Sequence, residues 1–212
     1  MKPIETIIWD WNGTLLNDVL ISLSSINHLL ADRNLEPLTC ERYLDIFTFP
    51  VQTYYEKLGF DFNDEPFEII AHQFIEIYNE AVKDCGLHPE AIVILDYMKR
   101  KNMNQFILSA MEQQLLEETV KQNNIYEIFT AVYGLNHSYA TSKIDIGISL
   151  IEQHQLTPLH TLLVGDTVHD YEVAQSIGCQ CILFAKGHQS RHRLESTGAK
   201  VIDSLSELML TI

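Results

Sequence analysis

The chain has 212 residues, 46% of them hydrophobic and 20% charged, with a formal net charge of −15 at pH 7. That length suits one domain, or one domain carrying an insert, and that apolar fraction belongs to a folded core rather than a disordered chain. The acidic balance argues against duplex DNA or an anionic membrane as partner, because phosphates would meet repulsion over most of the surface; Lys99-Arg100-Lys101 and Arg191-His192-Arg193 are too short to reverse it.

Ile7-Ile8-Trp9-Asp10 reads as a short buried strand ending in a carboxylate. From about Leu15 to Gly86 no strand is expected, only helical stripes. One is Val19, Leu23, Ile26 and Leu30; another is Phe67, Ile70, Ala71, Phe74, Ile77, Tyr78 and Ala81, at i, i+3, i+4 spacing. Phe47-Thr48-Phe49-Pro50 interrupts these stripes. Pro89 suits the first position of the next helix, whose inward stripe reads Ile92, Leu95 and Met98.

Phe106-Ile107-Leu108-Ser109 is a second strand, ending in a hydroxyl, followed by a helix with Leu115, Leu116, Thr119 and Val120 inward. Ala131-Val132-Tyr133-Gly134 is a third, weaker strand, and Ile144, Ile148 and Ile151 mark the helix after it. Thr161-Leu162-Leu163-Val164-Gly165-Asp166 ends again in a carboxylate; Val173, Ala174 and Ile177 form a short helix closed by Gly178. Cys181-Ile182-Leu183-Phe184 is a fifth strand and Lys200-Val201-Ile202-Asp203 an edge strand. Strands apolar at every position are buried on both faces. The alternation therefore predicts an α/β chain with a doubly wound parallel sheet and an all-helical insert after strand one. The expected boundaries are 1–16 and 87–212 for the core and 17–86 for the insert.

No apolar stretch approaches the roughly 20 residues of a membrane helix, and Met1–Thr6 lacks the apolar core of a signal peptide. Cys40, Cys85, Cys179 and Cys181 form no small-domain disulfide framework. The expectation is a cytoplasmic protein, monomer or homodimer, with no nucleic-acid or membrane partner.

Open parallel sheets bind ligands at the carboxyl ends of their strands, beside the point where strand order reverses. The strand assignments put Asp10, Ser109 and Asp166 there, with Asp170 one helical turn further on. Carboxylates crowded at one sheet edge repel each other unless a cation joins them. Oxygen-only ligation beside a phosphate suits Mg²⁺.

These residues carry a family resemblance. Asp10-Trp11-Asn12-Gly13-Thr14-Leu15 resembles the first motif of the haloacid dehalogenase superfamily, DxDGT; Ile107-Leu108-Ser109 resembles the second. Lys143 is similar to the third-motif lysine, and Gly165-Asp166-Thr167-Val168-His169-Asp170 matches the fourth motif, GDxxxD. The four occur in family order, and the tail from Gly187 to Leu208 resembles the phosphoglycolate-phosphatase-like branch.

The resemblance implies a Rossmann-like core, a helical cap and a Mg²⁺-dependent phosphatase acting on a small phosphorylated metabolite through an aspartyl-phosphate. It implies that Asp10, Asn12, Ser109 and Lys143 are the catalytic positions, with Asp10 as nucleophile. Asp10, the Asn12 carbonyl, Asp166 and Asp170 would serve the metal. Gly13, Thr14, Ser109, Ala110 and Lys143 would bind the phosphoryl group, and Phe47 and Phe49 of the cap would meet the leaving group.

Two positions depart from the family. Asn12 stands where relatives carry an acid/base Asp, and an amide neither donates nor takes a proton at neutral pH; that help is typically about 10²–10⁴-fold. Ala110 stands where relatives often have Asn or Gly. Asn12 keeps two alternatives open. One is a phosphonate or acyl-phosphate hydrolase, for which Lys57 and Lys83 are the available cap lysines. The other is a catalytically weak phosphate- or metal-binding protein. Cys179, Cys181, His188 and His192 have zinc-like spacing, although buried free cysteine explains them better. His169 reads as a loop residue.

Overall fold

The structure, a computed structural model, describes residues 3–135 and 142–212. Strand β1 (Thr6–Trp9) is wholly buried, and the chain then leaves the sheet for α1 (Val19–Asp32), α2 (Cys40–Ile46), α3 (Val51–Leu58) and α4 (Phe67–Val82). It returns through α5 (Ala91–Arg100) to β2 (Asn104–Glu112), α6 (Gln113–Gln122) and β3 (Ala131–Leu135). The second half runs α7 (Lys143–Gln153), β4 (Thr161–Gly165), α8 (Val168–Ser176), β5 (Gln180–Phe184), α9 (Arg191–Glu195) and β6 (Lys200–Ile202). The sheet order is β3-β2-β1-β4-β5-β6, every pair parallel. Strand order thus reverses between β1 and β4, the place where such sheets hold ligands.

Side chains alternate across the sheet, as the pleat requires. Ile7 and Trp9 enter a core shared with Ile94, Leu95, Leu116 and Val120; Ile8 and Leu163 enter one shared with Ile146, Leu150, Val173 and Ala174. Helices α5 and α6 therefore cover one face and α7 and α8 the other. Trp9 donates its indole N–H to Gln105 Oε1 at 3.0 Å, giving a buried polar atom the partner it needs. Helices α1 to α4 hold a third cluster, in which Ile26, Leu30, Tyr43, Tyr54, Tyr55 and Ile70 are buried.

Three details differ from the sequence reading. Strand β2 does not stop at Ser109 but runs to Glu112, with a register shift between Leu108 and Glu112. Gly134 of β3 permits this: a Cβ there would lie 2.7 Å from the Met111 carbonyl oxygen. Helix α5 begins at Ala91, not Pro89, and buries Ala91, Ile94, Leu95 and Met98 while Ile92 stays 57% exposed. Helix α7 buries Ile146 and Leu150 rather than Ile148, which is 41% exposed.

Candidate active site

Asp10 follows β1 and donates its backbone N–H to the Val164 carbonyl at 2.8 Å, which fixes it beside β4. Asp166 follows β4, and Asp170 occupies the first turn of α8. One oxygen of each lies within 4.8 Å of the others, and all three side chains are buried. Lys143, the first residue of α7, is buried between them; its ammonium donates to Asp10 Oδ1 and, at 2.6 Å, to Asp170 Oδ1.

Each carboxylate has further partners. Thr167 caps α8 by accepting from the Asp170 N–H, while Asp170 Oδ2 accepts from the Thr167 N–H at 3.0 Å and its hydroxyl at 2.6 Å. Thr167 and Asp170 thus form a capping box, so Asp170 holds the helix start with one oxygen and Lys143 with the other. Asp166 accepts from the Thr14 hydroxyl at 2.9 Å and the His188 N–H at 2.6 Å.

Burial pushes the Asp10 carboxyl up to about 6 against the opposing pull of Lys143. Burial likewise raises Asp166 well above the usual carboxylate range, with the charges of Asp10 and Asp170 adding to it and His188 opposing it. Burial would raise Asp170 too, but Lys143 and the Thr167 hydrogen bonds hold it below its ordinary value. The Lys143 ammonium is raised despite burial, because Asp10 and Asp170 flank it. The balance is a crowded anionic cluster with one resident cation.

Asn12 joins this cluster to a second one. Its amide donates to the Tyr78 hydroxyl at 2.7 Å and to Asp18 Oδ2 at 3.1 Å, and its Oδ1 accepts from the Ser109 hydroxyl at 3.2 Å. Asp18, itself buried, also accepts from the Tyr78 hydroxyl at 2.6 Å and the Gly13 N–H at 2.7 Å. Gly13 sits at φ 72, the left-handed region that glycine enters without strain. His188 Nε2 lies 3.2 Å from Asp18 Oδ1, and its Nδ1 lies 2.7 Å from the Tyr43 hydroxyl. Burial would lower the His188 imidazole, but Asp18 raises it to about 9. Burial would raise Asp18, but His188 and the hydrogen bonds of Tyr78 and Asn12 lower it. Each ring nitrogen of His188 thus has a buried polar partner, Asp18 on Nε2 and Tyr43 on Nδ1.

A cavity of about 470 Å³ opens above the carboxylates, its walls including Asp10, Lys143, Ala110, Phe47, Phe49 and Tyr55. Phe47 stacks on Tyr43 at 5.3 Å, and its carbonyl accepts from Gln189 Nε2 at 2.9 Å and from Arg193. The structure therefore brings Asp10, Asn12, Ala110, Lys143, Asp166, Asp170, Phe47 and Phe49 around one space. Gly13, Thr14 and Ser109 sit behind it, off the wall, turned to Asp18, to the carboxylates and to Asn12 respectively. His169 lies in α8, not in a loop, with its ring 5.0 Å from Phe49.

Among the described residues the acidic trio is the only cluster of three or more potential metal ligands, and it includes none of Cys179, Cys181, His188 or His192. Neither Lys57 nor Lys83 lines the cavity, and Lys83 pairs with Glu80. Sequence reasoning did not foresee the Asp18–His188–Tyr43–Tyr78 group. One signal was available: β5 ends on the same sheet edge, so the residues just after it, His188 among them, face the site by the carboxyl-end rule that selects Asp10 and Asp166.

A family model for haloacid dehalogenase-like hydrolases matches residues 7–184. A phosphoglycolate phosphatase from Aliivibrio fischeri is 19% identical over 100% of this chain and 97% of its own length. Two solved structures share the fold. A haloacid dehalogenase-like family hydrolase from Streptococcus pneumoniae superposes with a TM-score of 0.88 at 17% identity, covering 100% of this chain and 99% of its own. A protein from Haemophilus somnus, described as a predicted phosphoglycolate phosphatase, gives 0.81 at 18% identity with coverage of 100% and 99%. With the family's hydrolase pattern running from β1 to the end of β5, the chain belongs to the haloacid dehalogenase-like hydrolases.

Proposed function

We propose that the protein is a Mg²⁺-dependent phosphatase that hydrolyses a small phosphorylated metabolite through an aspartyl-phosphate at Asp10. The observation that carries this reading is the convergence of Asp10, Asp166 and Asp170 within 4.8 Å, with Lys143 bridging two of them, at the floor of a cavity. The donor set fits a hard cation: buried oxygens only, two of them on carboxyls raised by burial and mutual repulsion. Asp10, Asp166 and the Asn12 carbonyl would hold Mg²⁺, with Asp170 beside them. When bound, Mg²⁺ would supply charge compensation for the phosphoryl oxygens.

Asp10 is the nucleophile, and its attack on phosphorus splits hydrolysis into two easier steps. Lys143 holds Asp10 in place and offers the phosphoryl group a point charge. Ser109 orients Asn12 and the Asp10-to-Thr14 turn. Residues 17–86 act as a cap that closes over the site and excludes water, on a core of 1–16 and 87–212. Phe47 and Phe49 meet the leaving group from that cap. The full-length match to phosphoglycolate phosphatases at 19–20% identity supports phosphomonoester hydrolysis, and a cytoplasmic monomer or homodimer fits the acidic chain. Among the described residues no helix is long and apolar enough to cross a membrane.

One observation favours a second reading. Asn12 supplies no acid, which suits acyl phosphates, whose leaving group departs without protonation. The phosphonate alternative needs a lysine from the cap, and neither Lys57 nor Lys83 lines the cavity. The test is inorganic phosphate release from a panel of phosphomonoesters and acyl phosphates, with Mg²⁺ and with EDTA. Activity that requires Mg²⁺ and disappears in Asp10→Asn is expected; a panel untouched by the wild type overturns the proposal.

A further inference from the structure

The wall of the cavity says what kind of organic group the phosphate is attached to. Above the carboxylates it is built mainly from Ile26, Phe47, Val51, Tyr55, Phe74 and Leu115, hydrocarbon or aromatic, beside the neutral side chains of Ser22 and Asn79. The rings pack edge on face, Phe47 against Phe49 at 5.5 Å and against Tyr54 at 5.3 Å. The acidic side chains of the wall outnumber the basic ones, and among the described residues each basic side chain is already engaged. Lys143 lies between Asp10 and Asp170. His188 has Asp18 on one ring nitrogen and Tyr43 on the other. His169 faces Glu172 at 3.3 Å. Glu112 and Asp18 add negative charge to the wall.

Phosphoglycolate ends in a carboxylate, which would have to shed its water here with no unengaged cation among the described wall residues to receive it, and burying an unpaired charge is strongly unfavourable. An apolar group gains by the same move, about fourfold in affinity for each methylene taken from water. The volume of about 470 Å³ falls in the range of pockets that enclose drug-sized ligands, far beyond what a two-carbon acid fills. Tyr54 adds one more feature: it lines the cavity, and its buried hydroxyl has no hydrogen-bond partner among the described residues. Buried polar atoms are rarely left unpaired, so the wall retains a place for one neutral hydrogen-bonding group.

We infer that the group carried by the phosphate is bulky, uncharged and largely apolar, an aryl or branched alkyl body with at most a neutral polar substituent, and that phosphoglycolate itself is disfavoured. This rests on the proposed phosphatase reading for the placement of the phosphoryl group at Asp10 and Lys143, and sets the substrate class for that site.

The experiment separates the two. Binding of phenethylphosphonate, ethylphosphonate and phosphonoacetate to the Mg²⁺-loaded wild type is measured by calorimetry, and phosphate release from phenethyl phosphate, ethyl phosphate and phosphoglycolate is measured beside it. Phenethylphosphonate is expected to bind at least about tenfold tighter than ethylphosphonate, and phosphonoacetate more weakly than both. Equal affinities, a preference for phosphonoacetate, or no binding at all would overturn the inference. The expected binding order with no phosphate released from any ester would leave the cavity chemistry standing and remove the phosphatase reading instead. Ile75, a wall residue that is 51% exposed, offers a variant that leaves the buried core untouched. Ile75→Arg is expected to improve phosphonoacetate binding several-fold while weakening phenethylphosphonate; a variant that leaves the order unchanged tells against the wall as the seat of selection.

Discussion

The two ends of the cavity are built on different physics. At the carboxyl edge of the sheet every carboxyl group has a named donor: Lys143 on Asp10, Thr14 and His188 on Asp166, Lys143 and Thr167 on Asp170. These contacts are directional and deep, so each depends on its neighbours. The opposite wall consists of rings 5–6 Å apart, Tyr43, Phe47, Tyr54 and Tyr55, held by buried area rather than by aimed bonds. One end suits a group of fixed shape and charge, the phosphoryl; the other suits a group that can vary. Substitutions at the first should act in an all-or-none way, and those at the second in graded steps.

The sharpest way to break the comparison is Lys143→Met. It leaves two buried carboxylates without their cation, and removing one partner of such a pair typically costs about 3–5 kcal/mol. Urea denaturation should show a loss of that size together with loss of phosphate release. A loss below about 1 kcal/mol would mean that the ammonium does not hold the cluster.

Magnesium should recover part of what that variant loses, and it should stabilise the wild type as well. A ligand that binds only the folded state at 100 times its Kd adds about 2.7 kcal/mol, or several degrees in Tm for a chain of this size. Thermal denaturation with Mg²⁺ and with EDTA reads this directly. Asp166→Asn is expected to abolish the difference.

Asn12 tests whether the polar end tolerates a change of one atom. An aspartate there would set a carboxylate oxygen against Asp18 Oδ2, which the Asn12 amide now approaches at 3.1 Å as a donor. Asn12→Asp should therefore destabilise the fold by about 1–3 kcal/mol at neutral pH. Asp18→Asn in the same chain swaps acid and amide and should restore it. The double variant is where a gain of about 10²-fold on alkyl phosphates is expected; equal rates in wild type and double variant would show that Asn12 is not what limits turnover.

Much of the carboxyl edge is legible in the sequence because strands apolar at every position announce their own ends. Asp10 and Asp166 stand just after such runs, and Asp170 lies one helical turn on. The Asn12–Asp18–Tyr78 link is not legible in this way. It depends on how α4 lies against α1, and no local pattern reports the packing of two helices. Ile92 of α5 and Ile148 of α7 turn outward against the periodicity for a different reason. Each helix carries two overlapping apolar stripes, Ile92 and Val93 beside Ile94 and Leu95, and Ile148 beside Ile146 and Leu150, and periodicity alone does not choose between them. The sheet chose, by burying whichever stripe faced it.

The smallest effect expected is also the most discriminating for the apolar wall. Phe49 is 36% exposed and touches Phe47 and His169, whereas Phe47 also packs against Tyr43, Tyr54 and His188. Truncating Phe47 should therefore lower both stability and affinity, since its ring belongs to the cluster that shapes the wall. Phe49→Ala should leave Tm within about 2 °C of wild type, because a surface substitution away from the core usually costs under about 0.5 kcal/mol. Its effect should fall on KM, raised roughly fivefold for phenethyl phosphate and little for ethyl phosphate, with kcat unchanged, the signature of lost uniform binding. If KM stays constant for every ester, the ring does not meet the leaving group, and the wall that selects it must lie deeper, at Tyr54, Tyr55 and Phe74.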